Sequence, residues 1–165
     1  MMKISVQAAD FDVTEVLAEL RARCAQVGAV AFFLGTVRDM NESRDVAVLT
    51  LEHYPGMTER ALARVAQEAQ TRFPIAGVTI IHRVGALYPT DQIVLVAVAS
   101  AHRHDALNAC TFMMDYLKTH APFWKKETDS DGVACWVDAR ESDAAARARW
   151  FADFDSPDSL AASAV

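Results

Sequence analysis

The sequence predicts an α+β fold, a single domain in which helices pack on a mixed, largely antiparallel sheet. The order of the predicted elements favours this fold class. Strand-like segments occur in adjacent pairs as well as around helical segments, which is less typical of a doubly wound parallel sheet. The six glycines form neither a Gly-x-Gly-x-x-Gly motif nor a Walker loop, so a bound anion would be held mainly by side chains.

The spacing of apolar residues indicates a first strand followed by a first helix. Residues 3–7 alternate as a short strand does. Asp12 or Thr14 can then cap a helix that runs to about Gln26, and Gly28 follows its end.

The next two segments have the pattern of strands. Residues 29–38 are rich in Val and Phe, which suits a largely buried strand and brings Arg38 to its end. Residues 46–54 follow a polar turn, and we expect them to form the hairpin partner of residues 29–38.

A second helix and two further strands come next. Residues 57–73 carry apolar side chains along one helical face. Residues 78–88 and 93–101 are apolar strand-like segments, and the turn residues 89–91 separate them.

The central segment predicts a helix from about Arg103 to about His120. Pro122 ends it, because proline lacks an amide proton and disfavours helical geometry in the residue before it. A short last strand is expected at residues 135–140. The helix has one apolar face, made of Ala106, Ala109, Cys110, Met113 and Leu117.

The totals predict one domain over residues 1–150 and a disordered tail over residues 151–165, which is small, polar and without periodicity. Three cysteines without a Cys-x-x-Cys pair argue against both a disulfide framework and a zinc site. The longest uncharged apolar run is far shorter than the roughly 20 residues that a membrane helix needs. We therefore expect a cytoplasmic protein with no metal site.

The central helix and the segment after it carry most of the candidate chemistry. Residues 102–126 contain four cationic and two acidic side chains, a formal charge of +2 on a chain of −6, so the remainder carries −8. A local cationic region on an acidic protein indicates a site for a small anion, whereas a nucleic-acid surface normally needs a basic face or domain.

Each candidate residue also has an ordinary structural explanation. His102 and Arg103 stand at a helix N-terminus, where amides and a guanidinium favour phosphate, but a solvated helix start would explain them as well. Lys118 lies in the last turn, where a cation opposes the helix dipole. With Lys125 and Lys126 it forms a cationic group, and a lysine crowded by cations can lose its proton and act as a nucleophile or acid/base.

One length constrains the site. Arg103 and Lys118 are fifteen residues apart, which on a straight helix is roughly 22 Å. If both act on one small substrate, we expect a two-fold mate with an antiparallel helix to supply one of them, which predicts an active site at a homodimer interface.

Five segments of the chain are similar to one known family. They resemble, in order, the large catalytic subunit of molybdopterin synthase, and the match covers about residues 3–150. The segments are FLGTVR (33–38), LEHYPGM (51–57), SAHR (100–103), MDYLKTHAPFWKKE (114–127) and WVDARESD (136–143).

The resemblance implies a sulfurtransferase of molybdenum cofactor biosynthesis with an α/β hammerhead-type fold and no cofactor of its own. Such enzymes convert cyclic pyranopterin monophosphate (precursor Z) to molybdopterin. The sulfur comes from the C-terminal Gly-Gly thiocarboxylate of a small ubiquitin-like subunit. The implied assembly is a homodimer of large subunits within a heterotetramer, with no nucleic acid and no membrane.

The resemblance also implies the site residues. Arg38, His102 and Arg103 would bind the substrate, and the two arginines would hold its cyclic phosphate. Lys118 would assist attack or elimination at the pterin side chain, with a covalent intermediate as one route, and Lys125 would stabilise developing negative charge.

The remaining site residues follow from the same motifs. Lys126 and Glu127 would line the same pocket, and Arg140 is a weaker candidate. Thr36 stands where some relatives have lysine, so Thr36 and Val37 would reach the substrate through their backbone.

Two other functions remain open at this point. One is a non-catalytic anion- or nucleotide-binding module on the same scaffold, in which loss of Lys118 would only weaken binding. The other is nucleic-acid binding through the two adjacent lysines, which the −8 outside the site disfavours.

Overall fold

The computed structural model describes residues 1–24, 26–41, 44–137, 148 and 150. These residues form three helices and ten strands. The helices are α1 (Val13–Arg23), α2 (Met57–Arg72) and α3 (Arg103–His120). The strands are β1 (Met2–Gln7), β2 (Ala29–Thr36), β3 (Met40–Asn41), β4 (Arg44–Asp45), β5 (Val48–His53), β6 (Ile75–Arg83), β7 (Gly85–Leu87), β8 (Gln92–Ser100), β9 (Phe123–Thr128) and β10 (Ala134–Val137).

The first sheet has the strand order β1-β6-β8-β2. Its β1–β6 pair is parallel and its other pairs are antiparallel, which confirms the predicted mixed, largely antiparallel α+β fold. Helices α2 and α3 pack on one face and α1 packs on the other. Both faces of the central strands β6 and β8 are therefore buried, as their nearly continuous apolar sequences require.

The second sheet has the order β10-β9-β5-β7 and is antiparallel throughout. Its inner face holds a small core made of Val37, Val46, Leu49, Leu51 and Leu87. Its outer face exposes Trp124 and Trp136, which are 50% and 55% accessible. The short hairpin β3–β4 lies beside this sheet, because Ser130 after β9 donates its N–H to Asp45 Oδ2 at 2.8 Å.

The sequence pattern predicts the helices well. Asp12 is the N-cap of α1, since its carboxylate accepts the N–H groups of Thr14 and Glu15, although the helix ends at Arg23, before the expected Gln26. Helix α3 has the predicted bounds. Its five predicted apolar-face residues are all buried.

The predicted hairpin between residues 29–38 and 46–54 is wrong. Strand β2 pairs with β8 in the first sheet, whereas β5 pairs with β7 and β9 in the second. Strand β2 is also less buried than its sequence predicts, because it is an edge strand in which Ala31 is buried and Phe32 and Phe33 are exposed. The two strands differ in the layers they contact, since β2 meets α3 and α1 while β5 is buried at alternate residues. Adjacency along the chain does not carry that information.

Two further segments differ from the expectation. Residues 78–88 form two strands in different sheets, because the chain turns at Val84 and Gly85, whose φ of +89° favours glycine. Residues 123–128, to which the sequence pattern assigned no structure, form the central strand β9. The predicted last strand begins one residue early as β10, and its end, residues 138–140, lies outside the described residues, as do residues 151–165.

Within the described part of the chain, no helix is long and apolar enough to cross a membrane.

Candidate active site

Helix α3 holds two of the candidate groups at its opposite ends. His102 is the N-cap and Arg103 the first helical residue, whereas Lys118 lies in the last turn. Fifteen residues of continuous helix separate Arg103 from Lys118, which is about 22 Å of rise. A single chain therefore does not bring the two groups onto one small molecule.

The N-terminus of α3 is arranged as an anion site would be. Ser100 Oγ donates to Pro74 O at 2.9 Å and accepts the His102 N–H at 3.3 Å, which fixes the chain where β8 ends. The N-cap side chain forms no hydrogen bond to the helix. His102 and Arg103 are both exposed, so the first amides of α3 and these two side chains can meet an anion from solvent.

Strand β9 follows the other end of α3, and its charged residues point to two opposite faces of the second sheet. Lys125 and Glu127 point to one side, in register with Leu51 and Leu49 of β5. Lys126 points to the other side, where its Nζ lies 5.4 Å from the centroid of the Trp136 ring. Within one chain, the three residues expected to line one pocket thus divide between two surfaces.

Arg38 and Glu127 are brought together by a residue that sequence reasoning missed. Arg38 Nη2 donates to Asn41 Oδ1 at 3.3 Å. Asn41 Nδ2 donates to both oxygens of Glu127, at 2.9 and 3.1 Å. Asn41 lies in the polar turn after Arg38, and nothing in the sequence distinguishes it from the other polar residues of that turn.

A second missed residue, His82, lies behind Lys125. Its ring stacks on Phe123, with centroids 3.7 Å apart, and its Nδ1 donates to Arg83 O at 2.8 Å. Burial, with smaller contributions from the charges of Lys125 and His53, lowers the pKa of His82 to about 4, against the backbone hydrogen bond to Arg83 that raises it. His82 is therefore neutral at physiological pH. A histidine within an otherwise apolar strand was the available signal.

The residues before Arg38 have mainly structural contacts. Val37 is buried in the small core of the second sheet. Its N–H donates to Asp91 O and its carbonyl accepts the Thr90 N–H, both at 2.9 Å. Thr36 is exposed at the irregular end of β2. A backbone contact from Val37 to a substrate would therefore compete with bonds already made.

The three cysteines differ in exposure. Cys135 is exposed and pairs with Glu127 across β10 and β9, whereas Cys24 is half-buried. Cys110 is buried, and burial raises the pKa of its thiol to about 11, although a backbone hydrogen bond from Phe33 opposes the rise. The reactive thiolate is therefore scarce at neutral pH. Among the described residues, no group of three or more His, Cys, Asp or Glu side chains could hold a metal ion.

The structure thus separates two groups of candidate residues within one chain. Arg38, Glu127 and Lys125 lie around the β9 face, and Lys118 lies at the end of α3 that leads into β9 through Ala121 and Pro122. His102 and Arg103 lie at the far end of α3. Arg140 lies outside the described residues.

Comparison with known proteins gives the same family across sequence and structure. The family model described as "MoaE protein" matches residues 6–120. A molybdopterin synthase catalytic subunit from Ralstonia nicotianae is 57% identical over 150 residues, which cover 91% of this chain and 85% of that protein. The subunit of the same name from Escherichia coli K12 is 53% identical and is covered to 97%, with 90% of this chain aligned.

A solved structure gives the matching fold. The molybdopterin biosynthesis MoaE protein from Burkholderia ambifaria superposes with a TM-score of 0.78 at 57% identity, covering 91% of this chain and 98% of that one.

Proposed function

Since the chain belongs to the MoaE protein family and is a catalytic subunit of molybdopterin synthase, we propose that its reaction takes place where the lysine end of α3 in one chain meets the arginine end of α3 in a second. The enzyme is a sulfurtransferase of molybdenum cofactor biosynthesis. It converts cyclic pyranopterin monophosphate to molybdopterin.

The sulfur donor is a second protein. A small ubiquitin-like subunit carries the sulfur as a thiocarboxylate on its C-terminal Gly-Gly, and its tail reaches the lysines of this chain. The burial of Cys110 and its raised thiol pKa argue against that residue as a sulfur carrier, because a carrier needs an accessible thiolate. Two catalytic subunits and two small subunits form the heterotetramer.

The substrate phosphate is held by groups from both chains. Arg38 supplies one guanidinium and Arg103 of the second chain supplies another, while His102 and the first amides of that α3 contribute hydrogen-bond donors. Lys118 assists attack or elimination at the pterin side chain. Lys125 stabilises the negative charge that develops there.

The other candidate residues lie around the proposed site. Glu127 shares the β9 face with Lys125, and Thr36 and Val37 position Arg38 at the end of β2. Lys126 reaches the substrate only from the opposite face of β9, and we rank it with Arg140 as a weaker candidate. Residues 1–150 act as one domain, and the enzyme works in the cytoplasm, which the three free cysteines support.

The observation that carries the proposal is the length of α3. A continuous helix of 18 residues holds Arg103 and Lys118 apart by about 22 Å, which exceeds the reach of both side chains toward one small substrate. Two α3 helices running antiparallel across a two-fold axis place each arginine end beside the lysine end of the partner, and the dimer then contains two equal sites.

A mixed dimer tests this arrangement. One chain carries Arg103→Ala and the other carries Lys118→Ala, with different affinity tags, and the purified mixed dimer is assayed with the thiocarboxylated small subunit. Each homodimer should be nearly inactive, and the mixed dimer should recover about half of the wild-type activity, because one of its two sites is intact. Absence of recovery would place both residues in the same site of a single chain.

A matched control uses two lysines that the proposal places in the same site of one chain, Lys118 in the last turn of α3 and Lys125 in β9. Mixing Lys118→Ala with Lys125→Ala leaves one substitution in each site, so this dimer should stay inactive. Recovery in both mixtures would mean that the two lysines act in different sites.

A further inference from the structure

Asn41 stands between a guanidinium and a carboxylate that would otherwise attract each other. Its Oδ1 accepts a hydrogen bond from Arg38, and its Nδ2 donates to both oxygens of Glu127. Among the described residues, no ion pair joins Arg38 to Glu127, and the hydrogen bond of the Arg38 side chain is the one to Asn41. The side-chain amide of Asn41 therefore supplies the hydrogen bonds that the Glu127 carboxylate accepts, and Arg38 does not form an ion pair with it.

This separation matters for anion binding. A guanidinium has five N–H donors in a fixed fork, and a carboxylate that pairs with it takes the donors and the charge that a phosphate would use. Asn41 occupies one donor and is neutral. The exposed Arg38 thus keeps its charge and its other N–H donors available to a ligand, although Glu127 lies close to the turn that carries Arg38 and Asn41.

The hairpin that carries Asn41 is fixed in place. Asn41 pairs with Arg44 across β3 and β4. Arg44 forms an ion pair with Asp129 at 3.5 Å, and Asp45 accepts the Ser130 N–H at 2.8 Å. Both contacts tie the hairpin to the chain directly after β9, so the amide of Asn41 is held against Glu127 by the fold.

We propose that Asn41 is a positioning residue that keeps Glu127 from neutralising Arg38 and so sets the affinity of the site for the phosphate group of the substrate. The inference rests on the proposed function, in that Arg38 is taken as a phosphate ligand. It assigns to Asn41 the task of keeping the charges of Arg38 and Glu127 apart. A residue that only stabilises the hairpin would not have this task.

The test is a double-mutant cycle with direct binding as the readout. The dissociation constant of cyclic pyranopterin monophosphate is measured by calorimetry for the catalytic subunit without the sulfur donor. Asn41→Ala should raise this constant roughly five- to tenfold, because Glu127 then pairs with Arg38. In the Glu127→Gln background the same Asn41→Ala change should have an effect of less than about twofold.

A nearly isosteric variant covers the case in which Asn41→Ala disturbs the hairpin. Asn41→Asp places a carboxylate directly on Arg38, so it should weaken binding to a similar degree, and Glu127→Gln should not relieve this effect. In the assay with the small subunit, both Asn41 variants should raise KM and leave kcat nearly unchanged. Equal losses for Asn41→Ala with and without Glu127 would overturn the proposal, as would unchanged binding in both variants.

The Arg38→Ala variant distinguishes a failure of the positioning role of Asn41 from a failure of the proposed phosphate site. If Arg38→Ala does not weaken binding, the phosphate site of the proposed function is wrong, and the task of Asn41 falls with it. If Arg38→Ala weakens binding but the effect of Asn41→Ala does not depend on Glu127, only the inference about Asn41 is overturned.

Discussion

The imidazole ring of His82 stacks on the phenyl ring of Phe123, with the ring centroids 3.7 Å apart and the planes inclined by 15°. His82 belongs to β6 of the first sheet and Phe123 to β9 of the second, so the contact joins the two sheets. Phe123 precedes Lys125 by two residues and shares its face of β9. The position of a proposed catalytic lysine is therefore coupled to a buried aromatic contact.

Replacement of His82 by alanine should destabilise the protein. The substitution removes the stacked ring and the hydrogen bond to Arg83 O, and we expect the free energy of unfolding to fall by about 2–3 kcal/mol. Urea denaturation measures the change. Tyr88→Ala is the control, because Tyr88 is exposed and its loss should cost less than about 0.5 kcal/mol. Equal effects of the two substitutions would mean that the stack contributes little.

His82 should also make the stability depend on pH. An unperturbed histidine titrates near 6.5, whereas burial lowers the pKa of His82 to about 4, so between these values the unfolded chain binds a proton that the folded chain does not. The stability contributed by neutral His82 is therefore fully present above pH 6.5 and is lost as the pH falls toward 4, by on the order of 3 kcal/mol.

The measurement compares wild type with His82→Phe, which keeps an aromatic ring and cannot titrate. Denaturation at about pH 7 and about pH 4.5 should show a larger loss for wild type than for the variant. All other titrating groups are common to both proteins, so parallel losses would contradict the prediction.

The sequence predicted what is encoded locally. The bounds and buried face of α3 follow from a period of three to four residues that ends at Pro122, and Asp12 caps α1 by bonds to its own neighbours. The pairing of β2 with β8 joins residues far apart in the chain, and no local pattern distinguishes it from pairing with β5. The same limit explains why Asn41 was missed, because its partner Glu127 is 86 residues away.

Cys110 should be dispensable for sulfur transfer. It is buried, its Sγ lies 3.7 Å from Val96 O, and the pKa of its thiol is raised to about 11 by burial. We expect Cys110→Ala to retain its specific activity while losing about 1 kcal/mol of stability from the smaller side chain. In the native wild type, a thiol reagent should modify the exposed Cys135 and leave Cys110 intact until the protein unfolds. Loss of activity in well-folded Cys110→Ala would contradict the assignment.

The two adjacent lysines of β9 should differ in their effect on catalysis. Lys125 shares its face with Glu127, whereas Lys126 points to the opposite face and lies beside Trp136. Lys125→Ala should lower kcat by about a hundredfold or more, as loss of a group that stabilises developing charge does. Lys126→Ala should change kcat less than about threefold, because its main contact is with an exposed ring. Steady-state kinetics with saturating small subunit measures both, and a reversed order would mean that the outer face of β9 carries the site.

Lys118 is the most direct test of chemistry at the end of α3. We expect Lys118→Ala to bind the small subunit and cyclic pyranopterin monophosphate with affinities near those of wild type, because Lys118 is exposed and the phosphate is held by other cations. Its conversion of the substrate to molybdopterin should fall by about a thousandfold, since removal of a nucleophile or acid/base group acts on the transition state. Lys118→Arg is the matched control, because it keeps the charge but cannot lose its proton, and it should be nearly as inactive. Activity in Lys118→Arg close to that of wild type would show that Lys118 supplies only a positive charge, and the role in attack or elimination would then belong to another residue.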